Sequence, residues 1–163
     1  MIKPVTAYVA LGSNLGEPAK QLARALEILA QSSQTTLVQC SPVYGSLAIG
    51  PGDQPDYCNA VAELETSLSP LHLLDRLLEI ESLQGRVRAE RWAARTLDLD
   101  LLYYNALTLD SERLTLPHPR MLERNFVLFP LRDIAPDLVI ANDKTVSEHA
   151  LRLSAVGLQR LEY

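Results

Sequence analysis

Tyr57-Cys-Asn-Ala-Val-Ala-Glu-Leu-Glu-Thr66, followed shortly by Ser69-Pro70 and then Leu71, Leu74 and Leu78, passes from a period of two to a period near three and a half. In the first part, alternation puts Tyr57, Asn59, Val61 and Glu63 on one face of a strand and Cys58, Ala60, Ala62 and Leu64 on the other. Ser69 before Pro70 has the form of a helix N-cap and first turn, and Gly85 supplies a stop. The segment therefore predicts a strand and then a helix with an apolar stripe.

Working outward, Thr96 to Tyr104 reads as a strand after the helix, and Thr35 to Tyr44 as a strand before Tyr57. Further upstream, Pro18 opens a helical pattern with Leu22, Leu26, Leu29 and Ala30 on one face, preceded by a β-rich run from Val5 to Leu11 that ends at Gly12. The order is βαββαβ, the split-βαβ arrangement of ferredoxin-like folds. This predicts an α+β class, with an antiparallel sheet and both helices on one of its faces. The other face is left for the C-terminal part: a hairpin of Leu107 to Leu109 with Arg113 to Leu116, then Pro117-His118-Pro119, a mostly apolar stretch from Phe126 to Ile134, and a short helix near Thr145 to Leu153. These additions would make helix, sheet and helix layers. With no repeat, low-complexity tract or linker, residues 1–163 read as a single domain.

The segment Gly85 to Leu102 holds four of the 12 arginines, Arg86, Arg88, Arg91 and Arg95, together with the only tryptophan, Trp92. It ends in Asp98 and Asp100, alternating with Leu97, Leu99 and Leu101. On a strand the two carboxylates share a face, about 6.6 Å apart along the chain. Alone, such a pair is more often a solvated polar face. Beside the arginines it suits a hard divalent cation such as Mg²⁺, which takes one or two carboxylates and fills its shell with water and substrate phosphates. Guanidinium forks bind phosphate oxygens, so the combination points to a polyphosphate ligand.

The formal net charge is −5. A local basic cluster in an acidic chain argues for a small anion and against a nucleic-acid footprint. At 163 residues and 47% hydrophobic, the chain can fill one core. It shows no long apolar run and no leader pattern, which predicts no membrane span, no secretory signal and a cytoplasmic location. Cys40 and Cys58 lack metal spacing and read as reduced, buried thiols. Two connections, Gly45 to Asp56 and Gly85 to Arg95, are long enough to suggest functional loops.

Arg-Thr-Leu-Asp-Leu-Asp after Gly-Arg-Val-Arg and Glu-Arg-Trp resembles the signature of the 6-hydroxymethyl-7,8-dihydropterin pyrophosphokinase family of folate biosynthesis. The resemblance extends to Tyr8-Val-Ala-Leu-Gly-Ser-Asn-Leu-Gly16, Gly50-Pro-Gly-Asp-Gln-Pro-Asp-Tyr-Cys-Asn59 and Leu116-Pro-His-Pro-Arg-Met-Leu-Glu-Arg-Asn-Phe126. It implies transfer of pyrophosphate from the co-substrate ATP to 6-hydroxymethyl-7,8-dihydropterin, releasing AMP. Asp98 and Asp100 match the ligands of two Mg²⁺ ions, and with Arg88 and Arg95 they make the implied catalytic set. Glu81, Arg86, Arg88 and Trp92 match nucleotide-side positions, as do Arg95, Thr115, His118 and Arg124. Ser46, Ala48, Ile49, Tyr57, Asn59 and Phe126 match the pterin side, with Tyr57 and Phe126 stacking on the ring. The chain departs from many relatives at Ala93-Ala94, Ser46-Leu47-Ala48 and Pro119, and some relatives carry an extra lysine after Arg88. Nothing in the sequence demands a protein partner, so a monomer is expected. Two other readings of the residues stand beside this one: another Mg²⁺-dependent nucleotidyl or phosphoryl transferase, and a ferredoxin-like ligand-binding module without chemistry, for which the acidic pair would be dispensable.

Overall fold

The computed structural model describes residues 3–14, 17–46, 57–84 and 97–161. In chain order the elements are β1 (Val5–Ser13), α1 (Pro18–Gln31), β2 (Thr35–Cys40), β3 (Tyr44–Ser46), β4 (Tyr57–Thr66), α2 (Pro70–Leu83) and β5 (Asp98–Tyr104). A small hairpin, β6 (Leu109–Asp110) with β7 (Thr115–Leu116), leads to a 3₁₀ turn at Met121–Glu123 and to α3 (Asn125–Ile134). Then come β8 (Val139–Ala141), β9 (Lys144–Thr145), α4 (Val146–Ala150) and β10 (Leu158–Arg160).

The main sheet runs β10-β3-β4-β1-β5, with β2 also paired to β4, and every pairing is antiparallel. The expected α+β fold is the one observed. The reading of Thr35 to Tyr44 as one strand is corrected. Both pieces pair with β4, β2 against Ala62 to Thr66 and β3 against Tyr57 to Asn59, but Ser41-Pro42-Val43 separates them. Pro42 has no N–H for a ladder, and Ser41 Oγ instead accepts from the Val61 N–H at 2.9 Å. The first strand does not end at Gly12 either. Gly12 pairs with Asn59 on one side and Asp98 on the other, and β1 continues to Ser13.

The alternation read in β4 is realised on both faces. Cys58, Ala60, Ala62 and Leu64 join Ala7, Val9 and Leu11 in a core under α1 and α2, to which the helices bring Leu22, Ala25, Leu29, Leu73, Leu77 and Ile80. In α1, Leu22 and Leu29 are buried and Leu26 packs on the core as read, with Ala25 buried and Ala30 exposed; in α2, Leu74 packs on the core as read, but Leu73 and Leu77 are the buried leucines and Leu71 is 39% exposed. Leucines on several sides of α2 left its periodicity ambiguous. Val61, Tyr8 and Ala10 face the opposite way and pack with Val127, Leu128, Phe129 and Leu131 of α3. The C-terminal additions thus cover the second sheet face as expected. A bulge interrupts β5: Tyr8 pairs with Tyr103 and Val9 with Leu101, so Leu102 is the extra residue, and Leu102 and Tyr103 both pack on the second core.

The second helix begins as read, with Ser69 Oγ accepting from the His72 N–H at 3.3 Å. The expected hairpin is shorter than predicted, and the expected helix at Thr145 is capped reciprocally by Thr145 and Glu148. The stretch from Phe126 to Ile134 is helical despite Pro130, which cannot donate to the Phe126 carbonyl. Cys40 is a free thiol. Cys58 is buried as expected, whereas Cys40 is only partly so, and burial pushes its thiol up to about 11. At neutral pH its alkylation by iodoacetamide should be on the order of 10²-fold slower than that of an ordinary exposed thiol. Labelling of the native chain followed by mass spectrometry checks this, and rapid modification of Cys40 would contradict it.

Candidate active site

A cleft of about 620 Å³ opens at the end of the sheet where β1, β4, β5 and the start of α3 meet. That size is typical of small-molecule sites. Its floor is made by neighbouring strands in register. Asn59, Gly12 and Asp98 form one cross-strand row, and Val61, Ala10 and Asp100 form the next. Because i and i+2 share a face, Asp98 and Asp100 both point to the α3 side, while Leu99 and Leu101 enter the first core. The carboxylates lie at the edge of the second face, where the cover provided by α3 stops.

The small residues of β1 create the room. A Cβ built on Gly12 would come 3.2 Å from Asn59 Oδ1, so glycine lets the amide lie against the floor. Gly12→Ala should displace that amide by a few tenths of an ångström and raise the KM for a ligand held by Asn59 about three- to tenfold, a fraction of one hydrogen bond. Steady-state kinetics with each substrate varied in turn checks this, and an unchanged KM for both would contradict it.

Of the residues singled out in the sequence, the cleft gathers Tyr57, Asn59, Asp98, Asp100, Arg124 and Phe126. Arg124 Nη1 stands 4.0 Å from Asp100 Oδ2, and its guanidinium lies 5.7 Å from the centre of the Phe126 ring. His118 follows the β6–β7 hairpin, its backbone N–H donating to the Leu102 carbonyl at 2.9 Å. Burial holds its imidazole below the ordinary histidine range; Asp100 opposes this, and Arg124 and Arg120 add to it. Its Nδ1 accepts from the Arg120 N–H at 3.2 Å, which leaves the proton of the neutral ring on Nε2 as a donor. Thr115, in β7, pairs with Asp110 on the same hairpin.

Glu81 occupies a different setting. It is 3% exposed on the inner side of α2, and its Oε2 accepts from the Leu99 N–H at 2.8 Å. Leu99 lies between Asp98 and Asp100 on the edge strand, so this bond braces the strand carrying both carboxylates. Arg86, Arg88, Arg91, Trp92, Arg95, Ala48 and Ile49 lie outside the described residues. Ser46 is placed by its backbone, which pairs with Tyr57.

Several lining residues were not singled out in the sequence: Ala10 and Gly12 of the floor, Asn125 and Val127 at the start of α3, and Val156 and Gly157 near the C-terminus. Alternation of Tyr8 with Ala10 and Gly12 was an available signal, since small residues within a strand mark a close approach. No local signal pointed to Val156.

The family described as 7,8-dihydro-6-hydroxymethylpterin-pyrophosphokinase (HPPK) is matched by residues 8–136. A Haemophilus influenzae protein named 2-amino-4-hydroxy-6-hydroxymethyldihydropteridine pyrophosphokinase is 55% identical over 144 residues, covering 88% of this chain and 90% of that protein. A Pseudomonas aeruginosa protein of the same name is 49% identical over 154 residues, covering 94% and 95%. Among solved structures, an HPPK-DHPS in complex with substrates superposes with a TM-score of 0.79 at 11% identity, over 99% of this chain and 47% of that one. A Plasmodium falciparum HPPK-DHPS with pterin and p-hydroxybenzoate gives 0.73 at 14% identity, over 93% of this chain and 43% of the other. The chain thus spans about half the length of these two solved proteins, and at such identities they establish the shared fold. The family match and the two close relatives, each covering most of the chain, show that this protein belongs to the 7,8-dihydro-6-hydroxymethylpterin-pyrophosphokinase family.

Proposed function

We propose that the cleft transfers the pyrophosphoryl group of ATP to the hydroxymethyl oxygen of 6-hydroxymethyl-7,8-dihydropterin, releasing AMP, as one domain acting as a cytoplasmic monomer. The observation that carries this reading is the placement of Asp98 and Asp100 on the floor of the same cleft that Tyr57, Asn59 and Phe126 line. Among the described residues, no helix is long and apolar enough to cross a membrane.

The donor set fits magnesium. Asp98 and Asp100 offer hard oxygens on one strand face, and among the described residues no group of three His, Cys, Asp or Glu side chains comes together. Such a site suits an ion that completes its shell with phosphates and water. Two Mg²⁺ ions held there would neutralise the polyphosphate and lower the pKa of the substrate hydroxyl.

The remaining work belongs to positioning and charge. Tyr57 and Phe126 supply flat faces for the pterin ring, and the Asn59 amide offers a donor and an acceptor to its edge. Arg124, 29% exposed beside Asp100, would meet a phosphate, and His118, whose imidazole burial holds below the ordinary histidine range, would donate a hydrogen bond from Nε2. In this reading Glu81, Thr115, Arg86 and Trp92 serve the nucleotide side, Ser46, Ala48 and Ile49 serve the pterin side, and Arg88 and Arg95 stabilise charge on the transferred group. The bond from the hydroxymethyl oxygen to the β-phosphorus forms as the link to the α-phosphate oxygen breaks. AMP departs, the hydroxyl proton passes to solvent, and no covalent enzyme intermediate is required.

The test is product analysis with ATP and Mg²⁺, with and without the dihydropterin. Pterin-dependent AMP without ADP is expected. ADP would indicate single phosphoryl transfer, and absence of both products would favour a binding module.

A further inference from the structure

The chain returns late to the mouth of the cleft. Asn125, at the first position of α3, donates through Nδ2 to the Ser154 carbonyl at 2.8 Å and lies 3.5 Å from the Val156 carbonyl. Ser154 Oγ in turn accepts from the Val156 N–H at 3.1 Å. Beyond the turn, Leu158 pairs with Ser46, and the Leu161 N–H donates to the Val43 carbonyl at 2.8 Å. Gly157 lies between these anchors at φ 80°, a conformation that side chains other than glycine resist. Val156 and Gly157 are therefore held from both sides, and both line the cleft that contains Tyr57, Asn59 and Phe126.

Val156 is 85% exposed. A lone exposed valine is ordinary. This one is fixed in a turn, at the rim of a ligand-sized cleft, two residues before Leu158, which pairs with Ser46. Its methyl groups have an apolar surface to gain only when something flat fills the cleft.

We infer that Val156 is a specificity-determining residue that covers the bound heterocycle, and that Asn125 is the positioning residue that holds it there. The inference rests on the proposed function, since it takes the occupant of this end of the cleft to be the pterin.

Val156→Ser removes both methyl groups and leaves a small hydroxyl, and should raise the KM for the dihydropterin about three- to fivefold. Asn125→Asp keeps the shape but replaces the donor with a carboxylate facing the Ser154 carbonyl, and should raise the same KM about fivefold. Val156→Ser should leave the KM for ATP within about twofold of wild type, since it changes no charge. An acid in the first turn of α3 complements the helix dipole and offsets part of the lost hydrogen bond, so the melting temperature of Asn125→Asp should fall by no more than a few degrees. A merely structural role for Asn125 would move both KM values by the same factor, overturning the assignment. An active wild-type chain whose two variants keep the wild-type pterin KM overturns this inference alone. A wild-type chain that releases no pterin-dependent AMP overturns the proposed function and this inference with it.

Discussion

Asp98→Ala and Asp100→Ala are each expected to slow turnover by about 10³-fold, on the order of 4 kcal/mol of transition-state stabilisation, while the melting temperature stays level or rises slightly. The two halves of this expectation have separate causes. Turnover depends on hard oxygen ligands beside the phosphates, and alanine offers none. Among the described residues the pair gains little: the Asp100 side chain is 46% exposed and Arg124 stands 4.0 Å away, a geometry that contributes little in water. Two like charges on one strand face also repel, so removing one relieves a local strain. Single-turnover AMP release and a thermal melt on the same preparations check both halves. Near-normal turnover in either variant would remove the metal assignment, and loss of the folded state would mean that the pair supports the sheet.

Glu81→Ala should lower kcat by up to about 10²-fold, the range typical of residues that orient metal ligands, and lower stability by roughly 1–3 kcal/mol. Truncation removes the acceptor for the Leu99 N–H, a donor on the outer edge of β5 between the two aspartates. Leaving that donor without Glu81 loosens the strand at the place where both carboxylates must be held. Glu81→Gln retains an oxygen acceptor of the same reach and should recover most of the stability. Calorimetric titration with AMP separates bracing from nucleotide contact. If Glu81 acts through the strand, Glu81→Gln binds AMP as the wild type does; if it touches the nucleotide, AMP affinity falls with either substitution. Wild-type turnover and melting in Glu81→Ala would refute both roles.

How far the site could be read in advance depends on the kind of signal each residue leaves. Asp98 and Asp100 announced themselves because their spacing is the strand period itself, and the structure puts them on one face of β5. Tyr57, Asn59 and Phe126 are individually ordinary, and only the family resemblance lifted them from candidate core residues to candidate ligand contacts. In the structure all three reach the cleft, from β4 and α3. Glu81 was named for the nucleotide side, yet its visible partner is a backbone donor on β5, a contact that spans from helix to strand and leaves no mark in its own neighbourhood.

Secondary structure failed where local and tertiary preferences disagree. Thr35 to Tyr44 has continuous β character, but Pro42 breaks its ladder and both pieces are kept only because β4 is long enough to pair with each in turn. Phe126 to Ile134 contains a proline that obscures its helical character; packing of Val127, Leu128 and Leu131 against the sheet makes it helical. The return of β10 beside β3 had no sequence signal at all.

The order βαββαβ, the cap at Ser69, the two faces of β4 and the acidic pair on β5 were all legible along the chain, because each depends on spacing within one helix or strand period. Which strands lie side by side, the bulge at Leu102, the room that Gly12 leaves for Asn59, and the tie from Asn125 to Ser154 emerged with the folded chain. Those features depend on close packing between residues far apart in sequence, where steric fit and hydrogen-bond satisfaction are properties of the pair, and neither partner's surroundings along the chain carry them.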